Sequence, residues 1–124
     1  MAKYQFAVTV RPQFLPDYSD PAEERFMFAY TVTIKNTGES KAQLISRHWI
    51  ITDGNNKVEE VQGDGVVGEQ PVLEPGEAFE YTSGCPLETP VGSMRGTYHC
   101  VAADGTRFEA SIPEFVLSMP RTLH

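Results

Sequence analysis

Few stretches of this chain combine residue types and spacing in a way that suggests chemistry. The most formal is Gly63-Asp64-Gly65-Val66-Val67-Gly68, a G-x-G-x-x-G. In a dinucleotide site such glycines end a strand and open a helix, whose first amides and dipole hold a pyrophosphate. Here Gly68 is followed by Glu69-Gln70-Pro71-Val72-Leu73-Glu74-Pro75-Gly76. Prolines at 71 and 75 are incompatible with a regular helix. No lysine follows in P-loop fashion, and Asp64 and Glu69 would repel a phosphate. The spacing therefore predicts a tight inter-strand loop whose glycines supply positive φ. The alternative is an anion nest of backbone amides, with Gly63, Gly65 and Gly68 as cofactor-binding candidates for a pyrophosphate or nucleoside polyphosphate.

Other reactive side chains are scattered. His48, His99, His124, Cys85 and Cys100 have no C-x-x-C or H-x-x-x-H spacing. Neighbours such as His99 and Cys100, or His48 and Trp49, point to opposite faces of a strand and cannot share one ion. No metal site and no cofactor are expected, and the histidines read as surface residues beside one buried thiol. Asp17, Asp20, Glu23 and Glu24 form an acidic, solvated loop. Ser46-Arg47-His48 and Thr82-Ser83-Gly84-Cys85 hold nucleophile-type residues, but nothing pairs them with a base and an orienting group. No catalytic residue is assigned, and Arg47 reads as an ion-paired edge residue.

Composition sets the frame around these residues. A length of 124 residues, 40% hydrophobic and 22% charged, fits one globular domain over 1–124. A net charge of −7 repels nucleic acid phosphates and anionic lipid. The start Met1-Ala2-Lys3-Tyr4-Gln5-Phe6 lacks the basic, then long apolar, pattern of a signal peptide. No apolar run approaches a membrane span. The expectation is a cytoplasmic protein with reduced thiols, binding neither nucleic acid nor membrane, as a monomer or weak homodimer.

The elements that must position everything else are strands. Tyr4, Phe6, Val8 and Val10 alternate over 3–11, and Pro12 to Glu24 reads as a long loop. Phe26, Phe28, Tyr30, Val32 and Ile34 give the clearest strand. A third strand over 41–53 carries Trp49, with Ile45, Trp49 and Ile51 expected to face inward. Asp53-Gly54-Asn55-Asn56 is a hairpin turn leading to a short charged edge strand over 57–62. Further strands are expected over 77–83, 93–103 and 107–113, with 84–92 a loop and Phe115-Val116-Leu117 covering an edge. About seven strands and no helix predict an all-β, immunoglobulin-like or fibronectin type III-like antiparallel sandwich. Tyr98-His99-Cys100 has the spacing of a tyrosine corner, in which a Tyr hydroxyl ties the strand to nearby backbone.

Taken in order, several segments resemble the ApaG family: Phe28–Ile34, Gln43–Asp53, Gly63–Gly68 with Glu69-Gln70-Pro71, Pro75-Gly76-Glu77, Tyr81–Gly84 and Gly92–Tyr98. The resemblance implies a fibronectin type III-like sandwich. It also implies a link to cobalt resistance and magnesium efflux (hence the name CorD) and a protein partner, because the domain is appended to larger eukaryotic proteins. A pyrophosphate-binding role for the glycine motif comes with it as an alternative. It brings no reaction, so a non-enzymatic protein-binding module is expected.

Overall fold

A computed structural model describes residues 2–120. Eight strands follow in order, one more than the sequence suggests: β1 (Phe6–Phe14), β2 (Phe26–Asn36), β3 (Ala42–Asp53), β4 (Val58–Asp64), β5 (Val72–Leu73), β6 (Ala78–Leu87), β7 (Val91–Ala102) and β8 (Arg107–Ser118). They form two antiparallel sheets, β1-β2-β6 and β4-β3-β7-β8, with β5 also paired to β3. This is the fibronectin type III-like sandwich arrangement expected.

Period-2 patterning builds it. In β2 Phe26, Phe28, Tyr30, Val32 and Ile34 are buried while the residues between them are more open. Phe6, Leu44, Trp49, Met94, Tyr98, Cys100, Ile112 and Leu117 complete the same core. The third strand departs from simple alternation. Its register with β7 shifts between Leu44 and Ser46, leaving Ile45 as the extra residue of a bulge. Leu44 and Trp49, an odd number of residues apart, are therefore both buried, and Ile45 is not part of the inward face.

Strand boundaries differ from expectation mostly at prolines. Pro12 does not end β1; it pairs with Tyr30, and only then do two 3-10 turns (Pro16–Tyr18 and Pro21–Glu23) fill the connection. Pro86 lies inside β6, so most of 84–92 is strand rather than loop. Pro113 lies inside β8, and 107–118 is one continuous strand, with a register shift opposite Met94–Gly96. Each of these strands is at a sheet edge, where a missing N–H costs no ladder bond.

The Asp53–Asn56 hairpin is as expected, but its left-handed residue is Asn56, at φ 64. Gly54 is constrained differently: a Cβ there would make a tight contact, 3.1 Å from the Val91 carbonyl oxygen. Among the described residues no helix is long and apolar enough to cross a membrane.

Candidate functional site

The glycine motif begins inside a strand. Gly63 is the penultimate residue of β4 and pairs with Arg47 of β3. A Cβ on Gly63 would sit 2.9 Å from both terminal nitrogens of Arg47, so the missing side chain makes room for the guanidinium. From there Arg47 Nη1 donates to the carbonyl oxygens of Asp64 (2.9 Å) and Gly65 (2.8 Å). The reading of Arg47 as an ion-paired edge residue is thus corrected. It lies on a central strand, and its charge is spent on backbone carbonyls that the turning chain withdraws from the ladder.

The other two glycines also have geometric duties. Gly65 adopts φ +65, and a Cβ there would come within 2.4 Å of the Glu69 carbonyl oxygen. Val66 is fully buried and pairs with Glu69 through both backbone bonds, closing a two-residue turn. At its apex Val67 (φ 44) and Gly68 (φ 81) are both left-handed, the type I′ pattern. The Gly65 amide donates to Ile45, the Val66 amide to Glu69 and the Glu69 amide to Val66. These three amides are therefore occupied within the fold. The expected inter-strand turn is present from Gly65 to Glu69, whereas Gly63 belongs to the strand.

A polar cluster lies within the core. Tyr81 and Tyr98 hydroxyls hydrogen-bond to each other between the two sheets. That contact replaces the tyrosine corner the Tyr98-His99-Cys100 spacing suggests, since Tyr98 finds a side chain rather than backbone. Burial pushes Tyr81 up to about 12 and raises Tyr98 still further, with the Tyr81 hydroxyl adding to the latter. Tyr30 is also raised, chiefly by burial, and Arg47 acts in the opposite sense on all three. Trp49 packs edge-on to Tyr30 and Tyr98.

The remaining candidates do not converge. Cys85 and Cys100 are both buried free thiols, not one buried and one exposed. Burial raises Cys85 to about 11, with a smaller contribution from Glu59, and Cys100 to about 12. Both are poor nucleophiles. On the outer face of the larger sheet an open depression of ≈ 390 Å³ is bordered by Ser46, Arg47, His48, Gln62, Gly63, Asp64 and His99. His48 Nε2 is 2.9 Å from Glu60 Oε1. Among the described residues no three His, Cys, Asp or Glu side chains are placed to hold a metal ion. His124 lies outside the described residues.

A larger groove, ≈ 520 Å³, runs between the sheets beneath β4. It is bordered by Glu23, Glu24, Arg25, Ile51, Asp53, Lys57, Glu59, Pro86, Leu87 and Glu88. Sequence reading missed it because its parts come from four separate segments. Its only early signal is the charge of the 57–62 edge.

Fold and site together define a small β-sandwich domain with an acidic groove beside one edge strand. An ApaG domain model matches residues 16–102. Protein ApaG of Dechloromonas aromatica (strain RCB) is 65% identical over 122 residues, covering 98% of this chain and 96% of that one. Protein ApaG of Bordetella pertussis is 63% identical over 121 residues, covering 98% and 92%. The crystal structure of an ApaA protein from Bordetella pertussis superposes with a TM-score of 0.95 at 61% identity, covering 98% of both chains. This chain belongs to the ApaG family.

Proposed function

We propose that this chain is a non-enzymatic binding module that acts through a protein partner, in divalent-cation homeostasis. The supporting observation is where its exposed apolar side chains lie. Of the seven large hydrophobic residues exposed among the described residues, Val58, Val61, Val67 and Val72 fall within one stretch, from β4 through the turn to β5. Four valines held open to water along one rim suit a surface that a partner covers. Covering the part of each that is still exposed contributes roughly 1 kcal/mol. The cation role comes from the family resemblance alone.

A photo-crosslinking residue at Val61 or Val72 tests the module in cells. A protein adduct is expected there and not at Val116, which is more exposed, on β8. No adduct at either rim position would overturn the reading. In a strain lacking the gene, a Val61→Asp/Val72→Asp variant should fail to restore cobalt tolerance if the cation role is correct. The rival reading seats a nucleoside polyphosphate on Gly63, Gly65 and Gly68. Its one favourable feature is the Arg47 guanidinium beside Gly63. That reading requires heat on titration with ATP that Arg47→Lys abolishes; a flat titration at millimolar ligand dismisses it.

A further inference from the structure

A sandwich of open sheets has four long edge strands here: β1 and β6 in one sheet, β4 and β8 in the other. Natural edges are protected against strand addition by prolines, bulges or charge. Pro12 interrupts β1, Pro86 interrupts β6, and Pro113 interrupts β8 at its register shift. β4, Val58-Glu59-Glu60-Val61-Gln62-Gly63-Asp64, has no proline and an unbroken register with β3. Its only protection is negative charge.

The register also fixes which backbone groups of β4 are available. Asp53 N–H donates to Lys57 O, and Gly65 N–H to Ile45 O. Alternation of bonded pairs then places the Glu59, Val61 and Gly63 amides toward β3 and directs those of Val58, Glu60 and Gln62 away from it. Every β4 residue except Gly63 is exposed. On its inner face Glu59 stands at the groove that also holds Glu23, Glu24, Asp53 and Glu88 against two cations, Arg25 and Lys57. Among the described residues none of these five carboxylates forms an ion pair. Ile51 and Leu87 supply the apolar part of the groove.

We infer that β4 is a docking edge for an extended, basic segment of a partner protein, added as a further strand. Backbone bonds to Val58, Glu60 and Gln62 give the pairing. Alternate side chains on the inner face are lysines or arginines that reach Glu59 and the groove carboxylates. The side chains between them are apolar and lie beside Val58. A second copy of this chain fits less well, since each copy carries −7. Acidic strands meet the repulsion that keeps the free edge single, and neutral strands gain no charge complementarity.

This inference rests on the protein-binding reading above, and its test is separable from that one. The probe is the peptide acetyl-(Lys-Val)4-Lys-amide, titrated into the ¹⁵N-labelled full chain. Expected are amide shift changes confined to 23–25, 51–64 and 86–88. A fully N-methylated peptide of equal charge, which cannot form the ladder, should produce none of them. A Glu59→Lys/Glu88→Lys variant, its remaining spectrum unchanged, should bind about tenfold more weakly or less, a loss of about 1.4 kcal/mol. No shift, shifts spread over the acidic surface, equal binding of the N-methylated peptide, or a β4-mediated dimer of the free chain each overturns it. If Val61 still traps a partner after such a failure, protein binding stands and the basic-strand inference alone falls.

Discussion

Strand β3 has β7 on one side and β4 on the other, and the two neighbours treat the same face differently. Trp49 is paired with Gly96 of β7 and with Val61 of β4. Towards β7 the inner face is closed: Trp49 is 3% exposed and Tyr98 0%. Gly96 leaves no space even for a methyl group, since a Cβ would meet the His48 carbonyl oxygen at 2.2 Å. Towards β4 the face opens, and Val61, directly opposite Trp49, is 39% exposed. Hydrogen bonding is continuous across all three strands, so the difference is one of cover. β1 packs against β8 at the far side of the sandwich, whereas β4's extensive packing is with β3 alone. The closed side carries stability, and the open side is the one to which the proposed binding is assigned.

That contrast can be broken most strongly by truncation. Trp49→Ala should cost about 3–5 kcal/mol by urea unfolding, because it empties the centre of an aromatic cluster. Val61→Ala, on the same face one strand over, should cost under about 1 kcal/mol. Equal losses would mean that β4 is part of the core.

Next in size is the buried tyrosine pair. Tyr98→Phe leaves the Tyr81 hydroxyl buried without its partner, at a cost of about 1–3 kcal/mol. The double variant Tyr81→Phe/Tyr98→Phe removes both hydroxyls and should cost less than the sum of the single changes. Simple additivity would show that the hydroxyls are not coupled.

The glycine turn sharpens the comparison at a smaller scale. Gly65→Ala combines left-handed strain with a backbone clash and should cost about 2 kcal/mol or more. Gly68→Ala meets open space and should cost about 1 kcal/mol for its φ alone. The reverse order would contradict the assigned turn.

The comparison extends to pH. Cys85, Cys100, Tyr81, Tyr98 and Tyr30 are all held neutral more firmly in the folded chain than in the unfolded one. Their stabilisation is whole below the unfolded thiol value of 9.0 and is lost as the pH rises through about 11 to about 12. The denaturation midpoint should fall from pH 9 upward. A midpoint level to pH 12 would place these groups in water.

Much of this was legible beforehand. β2, the Trp49 strand, the Asp53–Asn56 hairpin and the sandwich class follow from period-2 alternation and turn residues. What was not legible depends on partners distant in sequence. The bulge at Ile45 reverses the phase of half a strand, and the position of Tyr81 opposite Tyr98 depends on how two sheets stack. Pro12, Pro86 and Pro113 read as strand breakers, when in an open sheet they also mark edges. Gly63 read as one of three equivalent glycines, but its reason is the Arg47 side chain sixteen positions earlier. The groove was hidden because no local pattern brings Glu23, Asp53, Glu59 and Glu88 together.

Amide hydrogen exchange along β4 in the free protein tests the central claim most directly. The account predicts protection at Glu59, Val61 and Gly63, which face β3, and fast exchange at Val58, Glu60 and Gln62, which face outward. Uniform slow exchange at all six would show that the edge is already covered, and would contradict its assignment as the open docking strand.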